Sequence, residues 1–324
     1  MARVRLEEAA TLLREGRVVG IPTETVYGLA ACLHQPSAVE AIFALKGRPR
    51  MNPLIVHVAN EQEARALASE WTAHADRLSA LWPGPLTLLV PACLDRVPQQ
   101  VRAGLSTVGI RVPAHPLCRA LLELTGPLVA PSANLSGRPS SSTAAHVEDD
   151  FGEEFPVLDG GPCQTGLEST IVTTVGAPRL ARLGALSAER IAELTGVAVL
   201  PHSPASDMEQ QRPLCPGQLL QHYAPRARLH LYSAARPPQG ALVLGFSDRH
   251  YPTAQHWSLG PSKDVDAVAQ ALYACLRRLD QEGLQEAWID DRIPEEGLWR
   301  TIAERMHRAT AHASNDLVIA TQSH

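Results

Sequence analysis

The sequence predicts a two-domain α/β protein, with a larger first domain over residues 1–200 and a smaller one over 229–324. Three observations carry this. Strand-like and helix-like hydrophobic patterns alternate through the first 200 residues, the mark of helices packed around a sheet. A segment at 201–228 then breaks the pattern with Pro201, Pro204, Pro213, Pro216 and Pro225 among polar residues, the composition of a semi-rigid linker. After it comes a strand, helix, strand, helix succession, which reads as a small parallel sheet of βαβ type.

The elements follow in order. Leu6, Ala9, Ala10 and Leu13 have helical spacing over 6–14, and Gly16 suits the chain reversal after it. A β-branched strand at 18–21 stops at Pro22. Helices are predicted at 38–45, 62–69, 73–81 and 116–124, and strands at 54–58, 86–90, 108–112, 128–130 and 169–175. Beyond the linker, 241–246 and 287–293 read as strands. The apolar spacing at 265, 268, 269, 272, 276 and 279 predicts a helix over 265–284, and a second helix is expected over 295–313.

Composition narrows the function. The 324 residues carry 29 basic and 34 acidic side chains, a net charge of −5. A surface devoted wholly to nucleic acid is therefore excluded, while a local basic cleft is not. Only Lys46 and Lys263 are lysines, so a lysine inside a motif stands out against an arginine background. The six cysteines form no C-x-x-C pair, against a zinc ribbon or a thioredoxin-like site. No apolar h-region opens the chain and no apolar run approaches the ~20 residues of a membrane span. These features predict a cytoplasmic protein with free thiols and no membrane partner. The common phosphate-binding patterns G-x-x-x-x-G-K-[ST] and G-x-G-x-x-G are absent, as is H-E-x-x-H.

Five segments carry chemistry. At 21–30, hydroxyls follow directly on a strand end, where they either cap a helix or meet a ligand. At 46–57, Lys46, Arg48 and Arg50 lie within five residues on a turn broken by Gly47 and Pro49. This cationic turn suits phosphate oxygens, with a plain solvated loop as the alternative. His57 ends an apolar strand. Within the segment 106–113, Arg111 stands inside the apolar strand 108–112, which demands a partner: a substrate carboxylate or an internal acid. The small residues of 130–137, followed by Ser140, Ser141, Ser142 and Thr143, leave backbone N–H groups able to form an anion nest. At 166–172 hydroxyls again lead into a strand, with Arg182 beyond.

Taken together and in order, these segments resemble the threonylcarbamoyl-AMP synthase family. The matching motifs are PTETVYGL at 22–29, KGRP at 46–49 with NPL at 52–54 and His57-Val58, PGP at 83–85, GIRVP at 109–113 after Thr107, APSAN at 130–134, and EST at 168–170. The linker CPGQLLQHYAP at 215–225 and GLWRTIAERMHRA at 297–309 look like the linker and the C-terminal end of the long, two-domain members. The resemblance implies a YrdC-like catalytic domain, a twisted mixed sheet whose flanking helices form a concave cleft, followed by a Rossmann-like parallel α/β domain. It implies an enzyme, a nucleotidyltransferase that joins L-threonine, bicarbonate or CO2, and ATP into threonylcarbamoyl-AMP and pyrophosphate. Mg2+ would bridge the phosphates. The product would feed threonylcarbamoyladenosine formation on tRNA through a separate transferase complex, without stable direct tRNA binding.

The resemblance also implies roles. Thr25, His57, Arg111 and Ser169 match threonine-binding positions, with Arg111 on the carboxylate. Lys46, Arg48, Asn52, Thr107, Ser132, Asn134, Ser142, Arg182 and Tyr223 match ATP-binding positions. Lys46, Arg48, Ser132 and Asn134 are the catalytic set, and Tyr223 would act as part of a linker lid. The chain departs from the family at Cys215, where serine is usual, at Gln218-Leu219-Leu220, and at Leu183, where proline is usual. Two other classes compete: an RNA-binding module, which the aromatic content of 4% disfavours, and a carbamoyl-transfer enzyme acting on another acceptor.

Overall fold

The computed structural model describes residues 3–201, 213–217, 223–252 and 255–310. They divide into two compact units, one built from residues up to 136 with 141–217, the other from 137–140 with 223–310. Among the described residues, no helix is long and apolar enough to cross a membrane.

The first unit is one mixed sheet of ten strands. In chain order these are β1 (Arg3–Val4), β2 (Val19–Ile21), β3 (Gly28–Cys32), β4 (Ile55–His57), β5 (Leu86–Pro91), β6 (Thr107–Arg111), β7 (Leu128–Val129), β8 (Val157–Leu158), β9 (Thr170–Thr173) and β10 (Arg179–Arg182). Their spatial order is β1-β8-β2-β3-β7-β4-β6-β5-β9-β10. Strand residues alternate between faces, and the core divides accordingly. Val19, Ile21 and Ala30 pack with α1 (Leu6–Arg14) and α5 (Pro116–Thr125). Leu29 and Ala31 pack in a second cluster with α2 (Pro36–Lys46), α3 (Glu61–Leu67) and α4 (Ala73–Leu78). α6 (Ala144–Phe151) joins that second cluster through Ala144 and Val147, and α7 (Ala188–Thr195) through Ile191.

Several elements differ from the sequence reading. The predicted helix at 73–81 is α4 followed by a 3₁₀ turn at Ser79–Leu81. The sequence reading has no counterpart for β1, β3, β8, β10, α6 and α7. The hydroxyls at 23–25 cap no helix, because β3 follows them antiparallel to β2.

The second unit holds a four-stranded, all-parallel sheet of β11 (Arg228–Leu231), β12 (Leu242–Gly245), β13 (Gln255–Ser258) and β14 (Glu286–Ile289), ordered β11-β14-β12-β13. α8 (Val265–Gln281) connects β13 to β14, and α9 (Gly297–Ala309) follows. Asp264 caps α8 by accepting from Ala267 N. Strands β11 and β13 escaped the sequence reading. Segment 137–140 is held in this unit by Arg277 of α8, whose Nη2 donates to Pro139 O at 2.7 Å and Nε to Ser140 O at 3.2 Å.

Candidate active site

The site begins with the end of α2. Gly47, at φ +60°, closes the helix in the left-handed region, leaving Lys46 as its last residue. Lys46 is 3% exposed. Its ammonium donates to Ser132 O and to Asn134 O, both at 2.5 Å. Ser136 N returns a bond to Lys46 O at 2.8 Å. Lys46, Ser132 and Asn134 are thus brought together, but with the opposite polarity to a nest. The N–H groups of residues 133, 134, 135 and 136 go to Tyr27 O, Ser132 O, the Asp150 carboxylate and Lys46 O. The loop turns carbonyls toward a cation, so an anion here would meet the ammonium and side chains.

The following turn folds on itself. Arg48 donates from Nε to Asn52 O at 3.2 Å and from Nη2 to Pro53 O at 2.8 Å. Arg50 lies outside and pairs with Glu40. Asn52 is buried, and its Oδ1 has no partner. A buried amide oxygen without a donor costs free energy.

A second station forms where β4 and β6 run parallel, with His57 and Arg111 as register partners. Arg111 is 3% exposed. Its Nε donates to Gly84 O at 3.1 Å and its Nη1 to Thr25 Oγ1 at 2.9 Å. Its Nη2 lies 2.7 Å from Glu24 Oε1. The internal acid is therefore Glu24. The approach is off the hydrogen-bond line, so Nη2 and both Glu24 oxygens keep their hydrogen-bonding capacity. Glu24 escaped the sequence reading as a site residue, although it sits next to Thr25 in the PTETVYGL motif.

Thr23 Oγ1 donates to Val26 O at 2.6 Å and accepts from Thr25 N at 3.1 Å and Val26 N at 3.2 Å. It also lies 2.8 Å from Thr25 Oγ1. His57 is buried with Nδ1 unpartnered. Burial first, and the Arg111 charge second, push its pKa down to about 3, so the imidazole is neutral at pH 7. Burial, followed by the nearby Glu24 charge, pushes the Cys118 thiol up to about 12. Burial likewise pushes the Cys163 thiol up to about 12.

A third station closes the N-terminal ends of β5 and β9. Ser169 Oγ lies 2.8 Å from Thr87 Oγ1, and Arg182 Nη2 donates to Ser169 O at 2.8 Å. Arg182 Nη1 reaches Pro216 O at 3.2 Å. Gly184 is required here, because a Cβ on it would lie 2.3 Å from Thr170 N. Thr87 was also missed. Cys215 is buried with Ile55, Leu89, Ile171 and Ala181, and its Sγ donates to Ala181 O at 3.6 Å.

The remaining expected residues make other contacts. Ser142 N and Oγ are both 3.3 Å from His146 Nδ1. Thr107 begins β6, at the opposite end of that strand from Arg111, beside a small cavity lined also by Leu54, Gly109, Ile171, Cys215 and Pro216. Tyr223 belongs to the second unit. It has φ +70°, stacks on Tyr273 at 5.6 Å and lies under the Arg305 guanidinium at 4.5 Å. Residues 218–222 of the linker motif lie outside the described residues.

Comparison with known proteins agrees across the chain. Residues 11–184 match the Sua5_yciO_yrdC family model, described as "Telomere recombination", and 186–311 match "Threonylcarbamoyl-AMP synthase, C-terminal domain". The chain is 35% identical to the threonylcarbamoyl-AMP synthase of Pyrococcus abyssi, covering 96% of each. It is 37% identical to that of Bacillus subtilis, over 94% of this chain and 92% of the relative. The crystal structure of P. abyssi Sua5 complexed with L-threonine superposes with a TM-score of 0.85 at 34% identity, covering 94% of both chains. This chain belongs to the threonylcarbamoyl-AMP synthase family.

Proposed function

We propose that this protein joins L-threonine, bicarbonate or CO2, and ATP into threonylcarbamoyl-AMP, releasing pyrophosphate. The observation that carries the reading is Arg111, a guanidinium buried at the end of β6 with donor capacity still to spend. Among small ligands an anion repays such a group, and the amino-acid carboxylate is the anion the reaction supplies. Thr25, His57 and Ser169 complete the threonine site in this reading. Neutral His57 offers its free nitrogen to the substrate as a hydrogen-bonding group and not as a charge.

The threonine amine, once carried as a carbamate, presents an anionic oxygen to the α-phosphorus of ATP. The new P–O bond forms as the bond to the β-phosphate bridge breaks, and pyrophosphate leaves. The carbamate is already a nucleophile, so the protein's task is to align two anions and offset the charge that develops. Lys46, fixed against the 132–134 loop, supplies charge at the phosphates. Arg48 stiffens the turn that presents Asn52, with Ser132, Asn134, Thr107, Ser142 and Arg182 as the other nucleotide contacts. Among the described residues no three His, Cys, Asp or Glu side chains gather into a metal cage. Mg2+ bound together with ATP would offset negative charge on the phosphates. The adenylate is then passed to a transferase acting on tRNA in the cytoplasm.

Pyrophosphate release from ATP and Mg2+, with L-threonine and bicarbonate each omitted in turn, tests the reading. Release that needs both supports it. Release without threonine points to another acceptor and overturns it.

A further inference from the structure

We propose that Glu24 is the counter-ion of the substrate's α-ammonium group, so that Glu24 and Arg111 together read the two charged ends of a free α-amino acid. The inference rests on the threonine-site reading above and adds a residue to it.

Glu24 is 6% exposed, and neither carboxylate oxygen has a hydrogen-bond donor. A buried carboxylate is worth several hydrogen bonds, and leaving them unmade is costly. The Arg111 contact at 2.7 Å supplies charge but not hydrogen bonds. The group that would satisfy Glu24 is a compact cation with several donors, which describes an alkylammonium. Beside Glu24, Thr25 Oγ1 accepts from Arg111 Nη1 at 2.9 Å. Two acceptors thus flank Arg111, the group with donors to spare. An α-amino acid carries its carboxylate and ammonium on one carbon, and can lie antiparallel to the Arg111–Glu24 pair, each charge meeting its opposite. The neighbours leave that polarity intact: His57 is neutral at pH 7, and burial keeps the Cys118 and Cys163 thiols protonated.

The test compares binding of L-threonine and of (R)-3-hydroxybutanoate, which keeps the hydroxyl and carboxylate but lacks the amine. Calorimetry on the full chain would cover wild type, Glu24→Gln and Glu24→Asp. Wild type is expected to prefer threonine by about tenfold or more, because a site built for a donor rejects the analogue without it. Glu24→Gln should erase that preference by weakening threonine alone. Glu24→Asp, which retains the buried charge, covers the case in which the glutamine variant does not fold. It should lower threonine affinity partially and leave the analogue unchanged. Equal weakening of both ligands in the variants would mean that Glu24 merely holds Arg111 in place, and would overturn the inference. Failure of wild type to bind threonine would instead sink the threonine-site reading beneath it.

Discussion

Replacing His57 with glutamine should flatten the acid side of the protein's stability curve. The imidazole is 3% exposed, and burial together with the Arg111 charge brings its pKa down to about 3. In the unfolded chain the value returns to about 6.5. Below that pH the unfolded chain binds a proton that the native state refuses. The neutral form thus contributes stability above about pH 6.5, and that contribution is lost as pH falls toward 3. Between pH 7.5 and pH 5 the loss from this one residue is about 2 kcal/mol.

Urea unfolding at pH 7.5, 6.5 and 5 would measure it in wild type and His57→Gln. The other histidines act in both proteins alike, so the difference between the two pH slopes isolates His57. Wild type should lose about 2 kcal/mol more than the variant across that range. Parallel slopes would show that the imidazole protonates in place, and that it is not buried against the Arg111 charge as described.

Three other substitutions probe the stations separately. Lys46→Ala should lower pyrophosphate release by about a hundredfold or more. It should also lower the melting temperature, since losing the donor to Ser132 O and Asn134 O costs about 1–3 kcal/mol; wild-type turnover would remove Lys46 from the chemistry. Arg111→Ala should raise KM for threonine more than KM for ATP, and equal effects on both would contradict the carboxylate role. Gly184→Ala would press a methyl group to within 2.3 Å of Thr170 N. It should cost about 1–3 kcal/mol and raise KM for threonine through the displaced Ser169, so an unchanged melting curve would refute the close approach.

The sequence made the fold legible wherever an element declared itself by periodicity. α8 shows its apolar stripe over seventeen residues, and β5 reads as a largely apolar run. The missed elements lack such a signal. β3 is Gly-Leu-Ala-Ala-Cys, small residues buried on both faces with no alternation. β13 is Gln-His-Trp-Ser, polar and mostly exposed at the sheet edge. α6 and α7 are eight residues each, too short for a convincing stripe. Their starts were nonetheless written in Thr143 and Ser187, whose side chains accept from His146 N and Arg190 N as N-caps do.

The site divides in a different way. Residue types and motif spacing exposed its members, but not the direction in which they bond. Lys46 meets carbonyls that lie 86 and 88 positions downstream. Whether that loop offers carbonyls or N–H groups depends on how β7 delivers it beside β3, which no local pattern encodes. The anion nest expected from the small residues at 130–137 accordingly became a cation cradle. Glu24 was overlooked for a related reason. In a segment full of hydroxyls, a single acid reads as a solvated turn residue until Arg111, from a strand more than eighty residues away, is seen buried against it. Once paired, the two charges account for why Arg111 tolerates burial without any ligand charge. The arginine is therefore not spent on a substrate carboxylate merely by being buried. Its use in binding has to be shown by the remaining donors, and by the fact that Glu24 leaves them unfilled.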